Sequence, residues 1–263
     1  WYNLGTATTT ANTKIGSAYS KSTMQSVAGR LNYGYKGKYL AAITLRADGS
    51  SKLAEGNQWV TLPSLSLAWR ATEESFMEAT RGVISNLKIR ASGGYTANNN
   101  INAYSTQTPA NVTIYYNFAA ASALGVAPGS IANRSLTWEK TRELDFGIDL
   151  GLFNQRIDLT MDLYNRLSTG LLQKRSLPLE SGAGTMTDNL GSVLNKGIEL
   201  ALNASIVRTR DLNWSVGASF TSNVNEIVNL FGNTTPGYIF INSSTQKWMV
   251  GESINSIYGY VYD

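Results

Sequence analysis

The sequence predicts an all-β chain, a stretch of a transmembrane antiparallel up-and-down β-barrel, and three observations carry that prediction. The first is the run from Glu143 to Leu172, ELDFGIDLGLFNQRIDLTMDLYNRLSTGLL. Leu144, Phe146, Ile148, Leu150 and Leu152 share one parity, and Asp145, Gly147, Asp149 and Gly151 the other. After Asn154-Gln155, Ile157, Leu159, Met161 and Leu163 alternate in the same way with Asp158, Thr160, Asp162 and Tyr164. Successive strand side chains point to opposite faces, so this is a hairpin with one apolar and one polar face. The second is length: each arm alternates for about nine or ten residues, enough for a tilted strand to cross a bilayer, whereas ordinary strands are nearer five or six. The third is the charge on the polar face, costly in a dry core and ordinary in a water-filled lumen. The apolar face is therefore expected to meet lipid.

Composition agrees. The chain has 24 Gly and only 5 Pro in 263 residues, which suits many strands and turns. It holds no unbroken apolar run of about eighteen residues, so no transmembrane helix is expected. The slightly negative mean hydropathy does not oppose a barrel, whose strands are only half apolar. Cys is absent, which excludes disulfides, thiol nucleophiles and Cys-based zinc sites. His is absent too, which removes the usual general base and the commonest metal ligand. No catalytic residues, metal or cofactor are expected. The net charge of +4 arises from 22 basic and 18 acidic residues without any Lys/Arg block, so nucleic acid is not an expected partner.

Residues 1 to 23, rich in Thr, Ser, Asn and Ala, read as a loop tip. From Met24, Val27, Gly29, Leu31, Tyr33 and Tyr35 face opposite Arg30 and Asn32. After the tight turn Lys36-Gly37-Lys38, Tyr39, Ala41, Ile43 and Leu45 return opposite Thr44 and Arg46. Tyr33, Tyr35 and Tyr39 thus gather at one hairpin end, where amphipathic rings suit the headgroup level. Asp48-Gly49-Ser50-Ser51 is expected to open a connection leading to Trp59. The next arm places Leu62, Leu65, Leu67 and Trp69 together with imperfect alternation, opposite Ser64, Ser66 and Arg70. Glu73 to Arg81 has a helical flavour and bridges to Leu87, Ile89 and Ala91, opposite Lys88, Arg90 and Ser92.

Thr96 to Asn100 is a turn-rich exit into a loop of roughly thirty residues, far beyond the usual four to six. Leu136 to Phe153 and Arg156 to Leu172 form the central hairpin, and Ser176 to Asp188 is another long excursion. Ile198, Leu200, Leu202 and Ile206 descend opposite Glu199 and Asn203, turn at Thr209-Arg210-Asp211, and return as Leu212, Trp214, Val216, Ala218 and Phe220. Asn229 to Gln246 reads as a further loop. About eight spanning strands result, with long loops on one side and short turns on the other, the asymmetry of outer-membrane barrels. Trp1 is no initiator and Tyr258 to Asp263 break off in a strand-like run, so the chain is expected to be an internal piece of a longer one.

Six ordered blocks carry a family resemblance: RLNYGYKGKYLAAITLRADGSSK (30–52), WVTLPSLSLAWRATEESFM (59–77), ISNLKIRASGGYTANNNI (84–101), LTWEKTRELDFGIDLGLFNQRIDLTMDLYNR (136–166), NLGSVLNKGIELALNA (189–204) and VGESINSIYGYVYD (250–263). In order and spacing they resemble the second half of the barrel of a SusC/RagA-type TonB-dependent transporter, over nearly the whole chain. On that resemblance, residues 1–263 are a partial TonB-dependent receptor barrel domain, without the signal peptide, TonB box, plug, early strands and the strands after Asp263. The resemblance implies a plugged outer-membrane barrel of about 22 strands. It implies partnership with a SusD-like surface lipoprotein and, through the missing amino-terminal part, with the TonB complex. The implied cargo is an oligosaccharide or, in the RagA branch, an oligopeptide.

Two other architectures compete: a free-standing eight-stranded barrel, and a soluble or secreted β-sandwich that binds carbohydrate without transport. Eight-stranded barrels have packed interiors. This chain points Arg30, Arg46, Arg70, Lys88, Arg90, Asp145, Asp149, Asp158, Asp162 and Glu199 to one side, which suits a wide lumen or a wall facing a plug. For each of these charges, solvation or pairing across the lumen outweighs cargo contact as an expectation. Gly29 to Lys36 is spaced almost like a phosphate loop, but Tyr35 stands where the Lys must be. Glu73-Glu74 and Asp145 with Asp149 do not make a glycosidase pair, since one lies in a bridge and the other alternates along a strand. Asp48-Gly49-Ser50-Ser51 and Asn98-Asn99-Asn100 offer oxygen ligands, but turn formation explains both. The candidate cargo contacts are loop aromatics: Tyr104, Tyr115, Tyr116, Tyr238 and Trp248, whose flat rings can stack on a sugar or clamp a peptide. Packing within loops, or against a lid protein, is the competing role for each.

Overall fold

Alternation over twelve or more residues leaves a chain one way to bury its backbone, which is to pair each strand with the next. The computed structural model describes residues 19–108, 110–118, 121–128, 130–182, 184–241 and 247–257. In chain order the strands are β1 (Met24–Tyr35), β2 (Tyr39–Ser50), β3 (Trp59–Arg70), β4 (Ile84–Asn98), β5 (Ala110–Phe118), β6 (Ala121–Pro128), β7 (Glu139–Leu152) and β8 (Ile157–Thr169). They continue as β9 (Leu172–Ser176), β10 (Thr185–Asn189), β11 (Ser192–Arg208), β12 (Asn213–Asn229), β13 (Ile239–Ile241) and β14 (Lys247–Met249). One antiparallel sheet of eight strands, in the order β1-β2-β3-β4-β7-β8-β11-β12, forms the wall, and three two-stranded ribbons stand in its loops. The expected eight spanning strands are present, and the long central hairpin is β7–β8.

The register sorts the side chains. Tyr35, Tyr39, Trp69, Ile89, Ile148, Met161, Leu200 and Phe220 form one continuous row across the sheet. Tyr33, Ala41, Leu67, Ala91, Phe146, Leu163 and Ile198 form the next. The opposite face carries Arg90, Gly147, Asp162 and Glu199 in one row and Lys88, Asp149 and Thr160 in another. Phe146 is 41% exposed although apolar, because among the described residues nothing packs on its face of the sheet. That is a wall with an oily outside and a charged inside. A sandwich would set a second broad sheet against the oily face, and among the described residues the remaining sheets are ribbons. Nor does β1 pair with β12 among the described residues, so the eight strands do not close on themselves.

Connections on one rim are short: 36–38, 153–156 and 209–212, with the β3–β4 link as the exception. At 153–156 the turn runs through Phe153, Asn154 and Gln155, all at positive φ. At the other rim the links are long and carry the ribbons. The roughly thirty-residue loop contains the ribbon β5–β6, and the Ser176–Asp188 excursion lies within β9–β10. Local pairing thus absorbs the backbone groups of loops too long to hang free.

Four expectations need correction. Leu62 pairs with Arg46 on the inner face, opposite in direction to Leu65, and is buried with Val60. Asp48-Gly49-Ser50 does not open a loop but ends β2, with Asp48 and Ser50 buried. Leu136 precedes β7 and is fully buried with Trp138. Ile206 falls at a bulge between Ser205 and Val207, so Val207 takes the position opposite Trp214. The tight core of the chain lies at the long-loop rim in two clusters: Leu53, Val60, Leu62, Leu136 and Trp138, and Val193, Ile227, Leu230 and Val250. There the inner wall turns from charged to apolar and the loops fold back onto it.

The β3–β4 link folds into two short 3₁₀ turns, Ala71–Glu73 and Ser75–Thr80, that strap the short-turn rim. Glu74 fastens the strap: its carboxylate accepts from Tyr39 Oη at 2.7 Å, Lys38 Nζ at 2.9 Å and Trp69 Nε1 at 3.3 Å. The Tyr39 hydroxyl first, then the Lys38 ammonium, hold this carboxyl down to about 2. At its far end Val83 accepts from Phe153 N at 2.8 Å, so the strap links the β1–β2 and β7–β8 turns.

Two outcomes follow for the full-length protein. Ile148→Arg, a cation on the lipid face, should cost roughly 2 to 4 kcal/mol if at midplane and impair assembly into the membrane, while Thr160→Arg, facing inward beside Asp149, should assemble normally. Heat-modifiable mobility of membrane fractions on gels reads this, and equal effects would reverse the assigned faces. Because the Glu74 pKa is depressed on folding, its stabilisation is complete above the ordinary value of 4.5 and is lost as pH falls toward about 2. Glu74→Gln should therefore lower the unfolding midpoint at neutral pH and flatten its decline across that acid window; an unchanged profile would exclude the strap as a source of stability.

Candidate functional site

The inner face of β4, β7, β8 and β11 is built around one guanidinium. Arg90 Nε and Nη2 each lie 3.0 Å from an oxygen of Asp149, and Nη2 also lies 2.8 Å from Asp162 Oδ1. Lys88 Nζ approaches Asp149 at 3.7 Å. The register explains the reach: Arg90 on β4 stands opposite Gly147 on β7, and Gly147 stands opposite Asp162 on β8. With no side chain at Gly147, the guanidinium crosses β7 and bridges three strands; a Cβ there would sit 2.6 Å from Arg90 Nη2. The same device recurs beside it, where the Tyr164 ring lies over Gly197 on β11. Arg166 packs its guanidinium 5.7 Å from the Tyr164 ring centroid and holds Glu143 through two bonds of 2.7 and 3.2 Å. Pairs this exposed to water contribute only about 0 to 1 kcal/mol each. Their effect is to fix direction, since the bidentate fork holds side chains in one geometry.

Asp145, Asp158 and Glu199 share this face and have no ion-pair partner among the described residues. The band is therefore acidic in balance, with water or a basic surface as its natural complement.

At the long-loop rim a polar cleft of about 850 Å³ opens over the first apolar cluster. Its walls come from three segments: Ser51, Glu55 and Gln58 from the β2–β3 loop, Thr106 and Gln107 from the β4–β5 link, and Arg134 from the approach to β7. Hydrogen bonds hold these segments together, with Ala54 N donating to Leu136 O at 3.2 Å and the Asn57 side-chain Nδ2 to Ser135 O at 3.1 Å. Ala132 N donates to Thr108 Oγ1 at 3.2 Å. Leu53, buried in the cluster, anchors the floor. Carboxylate, guanidinium, amide and hydroxyl groups on one concave surface equip it to bind a polar, hydrogen-bonding molecule.

The five loop aromatics are distributed over three segments. Tyr104 sits in a turn at positive φ, its hydroxyl accepting from Lys21 N at 3.2 Å and its carbonyl accepting from Gln107 N at the edge of the cleft. Tyr115 and Tyr116 are consecutive on β5, so they point to opposite faces of the ribbon, and both are exposed. Tyr238 precedes β13 and its carbonyl accepts from Val250 N at 3.0 Å, while Trp248 on β14 stacks on Phe240 and packs against the second apolar cluster. Tyr104 thus neighbours the cleft through its carbonyl, Tyr115 and Tyr116 lie on opposite faces of their ribbon with the Tyr116 ring against Gly125, and Trp248 is turned inward. The cleft residues themselves escaped notice in the sequence, because Glu55, Gln58 and Arg134 look like ordinary loop polarity. The paired apolar residues flanking them, Leu53 and Leu136, are the signal that these loops fold back and meet.

Residues 1–262 match the family model described as TonB dependent receptor-like, beta-barrel. The chain is 36% identical over 243 residues to TonB-dependent receptor P3 of Formosa agariphila, covering 90% of this chain and 24% of that protein. It is 35% identical over 260 residues to TonB-dependent receptor SusC of Bacteroides thetaiotaomicron, covering 93% of this chain and 26% of that protein. Among solved structures, the RagAB peptide transporter superposes with a TM-score of 0.76 at 28% identity, over 88% of this chain and 25% of that one. The chain spans about a quarter of the length of the relatives it matches.

If the guanidinium needs the space over Gly147, Gly147→Ala should destabilise the barrel by about 1 to 3 kcal/mol, the usual cost of overpacking. The same change in an Arg90→Ala background should cost clearly less. Thermal unfolding of the four proteins of this cycle measures the coupling, and additive effects would contradict the bridge.

Proposed function

Because the chain belongs to the TonB-dependent receptor β-barrel family of the outer membrane, we propose that residues 1–263 are one stretch of wall from a SusC/RagA-type importer. In this reading the whole protein moves oligosaccharides or oligopeptides inward across the outer membrane. The observation that carries the reading is the single wall whose oily rows and charged rows keep to opposite faces across the middle of its strands. Only a water-filled or plug-filled interior makes such a charged face inexpensive. The acidic band around Arg90 faces the plug, the β5–β6 ribbon offers the more exposed Tyr115 to a SusD-like lipoprotein lid, and TonB acts through the amino-terminal part of the protein. Tyr104, beside the cleft, and Tyr238 are the aromatic candidates for cargo contact; Trp248 supports its ribbon.

The cleft residues separate the two cargo classes. A peptide carries terminal charges that Glu55 and Arg134 complement, whereas a neutral glycan relies on the amides and hydroxyls. In a strain lacking the native transporter and expressing the full-length variants, Glu55→Gln with Arg134→Gln should reduce uptake of labelled oligopeptides several-fold if the cargo is peptide, and should leave uptake of neutral oligosaccharides nearly unchanged if the cargo is glycan. Gln58→Ala with Thr106→Ala should do the reverse for a glycan. Absence of uptake for both classes by the wild-type protein would overturn the importer reading.

A further inference from the structure

The outward positions of the eight wall strands are almost free of charge, and the exceptions are gathered in one place. Among the described residues the charged side chains on that face are Lys140 and Arg142 on β7, Lys196 on β11 and Glu226 on β12. Every one lies at the long-loop end of its strand. The short-turn end of the same face carries aromatic rings instead, Tyr35, Tyr39, Trp69 and Trp214. Lys140, Arg142 and Lys196 are all exposed, and none enters an ion pair among the described residues. Their cross-strand neighbours are uncharged: Ala97 and Thr169 beside Lys140, Tyr95 and Leu167 beside Arg142, Asn165 and Val224 beside Lys196. Glu226 pairs with Leu194 at the border of the group, leaving the patch basic in balance.

A cation on a lipid-facing wall is costly near the midplane and tolerated near the interface. Three gathered at one interface attract a partner of opposite charge, and the surface they share is continuous with the lipid-contacting rows below. Long loops mark the outer side of such barrels, so these cations lie at the outer leaflet. Lys140 and Arg142 are separated by about 7 Å along one strand, and Lys196 stands two strands away, about 10 Å to the side and, in the row of Leu144, about 7 Å nearer the midplane than Arg142. That spread suits a headgroup carrying more than one oxyanion better than a single ion. Arg donates a planar fork to phosphate and Lys a point charge, while Asn165 and the 44%-exposed Tyr95 flank them with further hydrogen-bonding groups.

We propose that Lys140, Arg142 and Lys196 form a binding site for the phosphate-bearing headgroup of an outer-leaflet glycolipid, which seats the barrel at a fixed depth and orientation. The site is separate from the cargo path, because its side chains point away from the lumen.

The test uses the full-length transporter in detergent, with purified lipid A and enzymatically dephosphorylated lipid A as probes. Lipid A should raise the unfolding midpoint of the wild-type protein by several degrees, and the dephosphorylated form should not. Lys140→Ala with Arg142→Ala and Lys196→Ala should remove that response and lower several-fold the phosphorylated lipid retained through purification, as counted by mass spectrometry. Arg30→Ala, on the inner face, should leave both readouts unchanged. Equal stabilisation by the two lipids, or an unaltered response in the triple variant, would overturn the proposal. The wild-type comparison requires no variant to fold, and cargo uptake is a separate measurement, so the site and the importer reading fail independently.

Discussion

The structure depends on one constraint, the period of two. A strand side chain points up or down and nothing between, so eight antiparallel strands in continuous register produce two chemically distinct surfaces from a single layer. Inside a bilayer the backbone must find its hydrogen bonds within the wall, and pairing supplies them while the register keeps every Leu, Ile and Phe of the oily rows on the lipid side. A slip of one residue between β7 and β8 would put Asp162 and Asp158 into lipid and Leu159 and Leu163 into water. The register is therefore fixed by solvation on both faces, without any packed core beneath it.

Function is distributed along the wall according to the same constraint. The inner rows are free to hold charge, and glycines at the crossing points let Arg90 and Tyr164 lie flat over neighbouring strands. Apolar packing is displaced to the long-loop rim, where Leu53, Leu136 and Trp138 gather loops that would otherwise be mobile into the walls of a cleft. The opposite rim is closed by the Glu74 strap and ringed with aromatics. Lipid contact, lumen and mouth are three zones of one sheet, each readable from which residues occupy which parity.

The zones were legible in the sequence to different degrees. Periodicity located β1, β7, β8 and β12 and their faces, because those strands keep strict alternation between two uniform solvents. It misplaced Leu62 and Leu136, because near the rim the inner face is covered by loops and an apolar residue there reports burial under a loop instead of lipid. β2 and β4 run on through residues that look like turn formers, Asp48 to Ser50 and Thr96 to Asn98, and just beyond β4 the Asn99 side chain donates to Ser50 Oγ at 2.7 Å. The cleft was not legible, since its walls come from segments about eighty residues apart in the chain, as Asn57 and Ser135 are. The aromatic candidates were found by composition, and only three-dimensional placement separates Tyr104 at the cleft from Trp248 within a ribbon.

The central claim, that one face of this wall meets lipid and the other water, is tested most directly by cysteine accessibility along β7. The chain has no Cys of its own, so single cysteines can be introduced at positions 144 to 146 and 148 to 150 without background from this region, Gly147 being left in place beneath Arg90. In intact outer membranes a charged, membrane-impermeant maleimide should label positions 145 and 149 and spare 144, 146, 148 and 150, with the opposite preference for a lipid-soluble reagent. Uniform labelling, or the inverse pattern, would contradict the two-solvent wall.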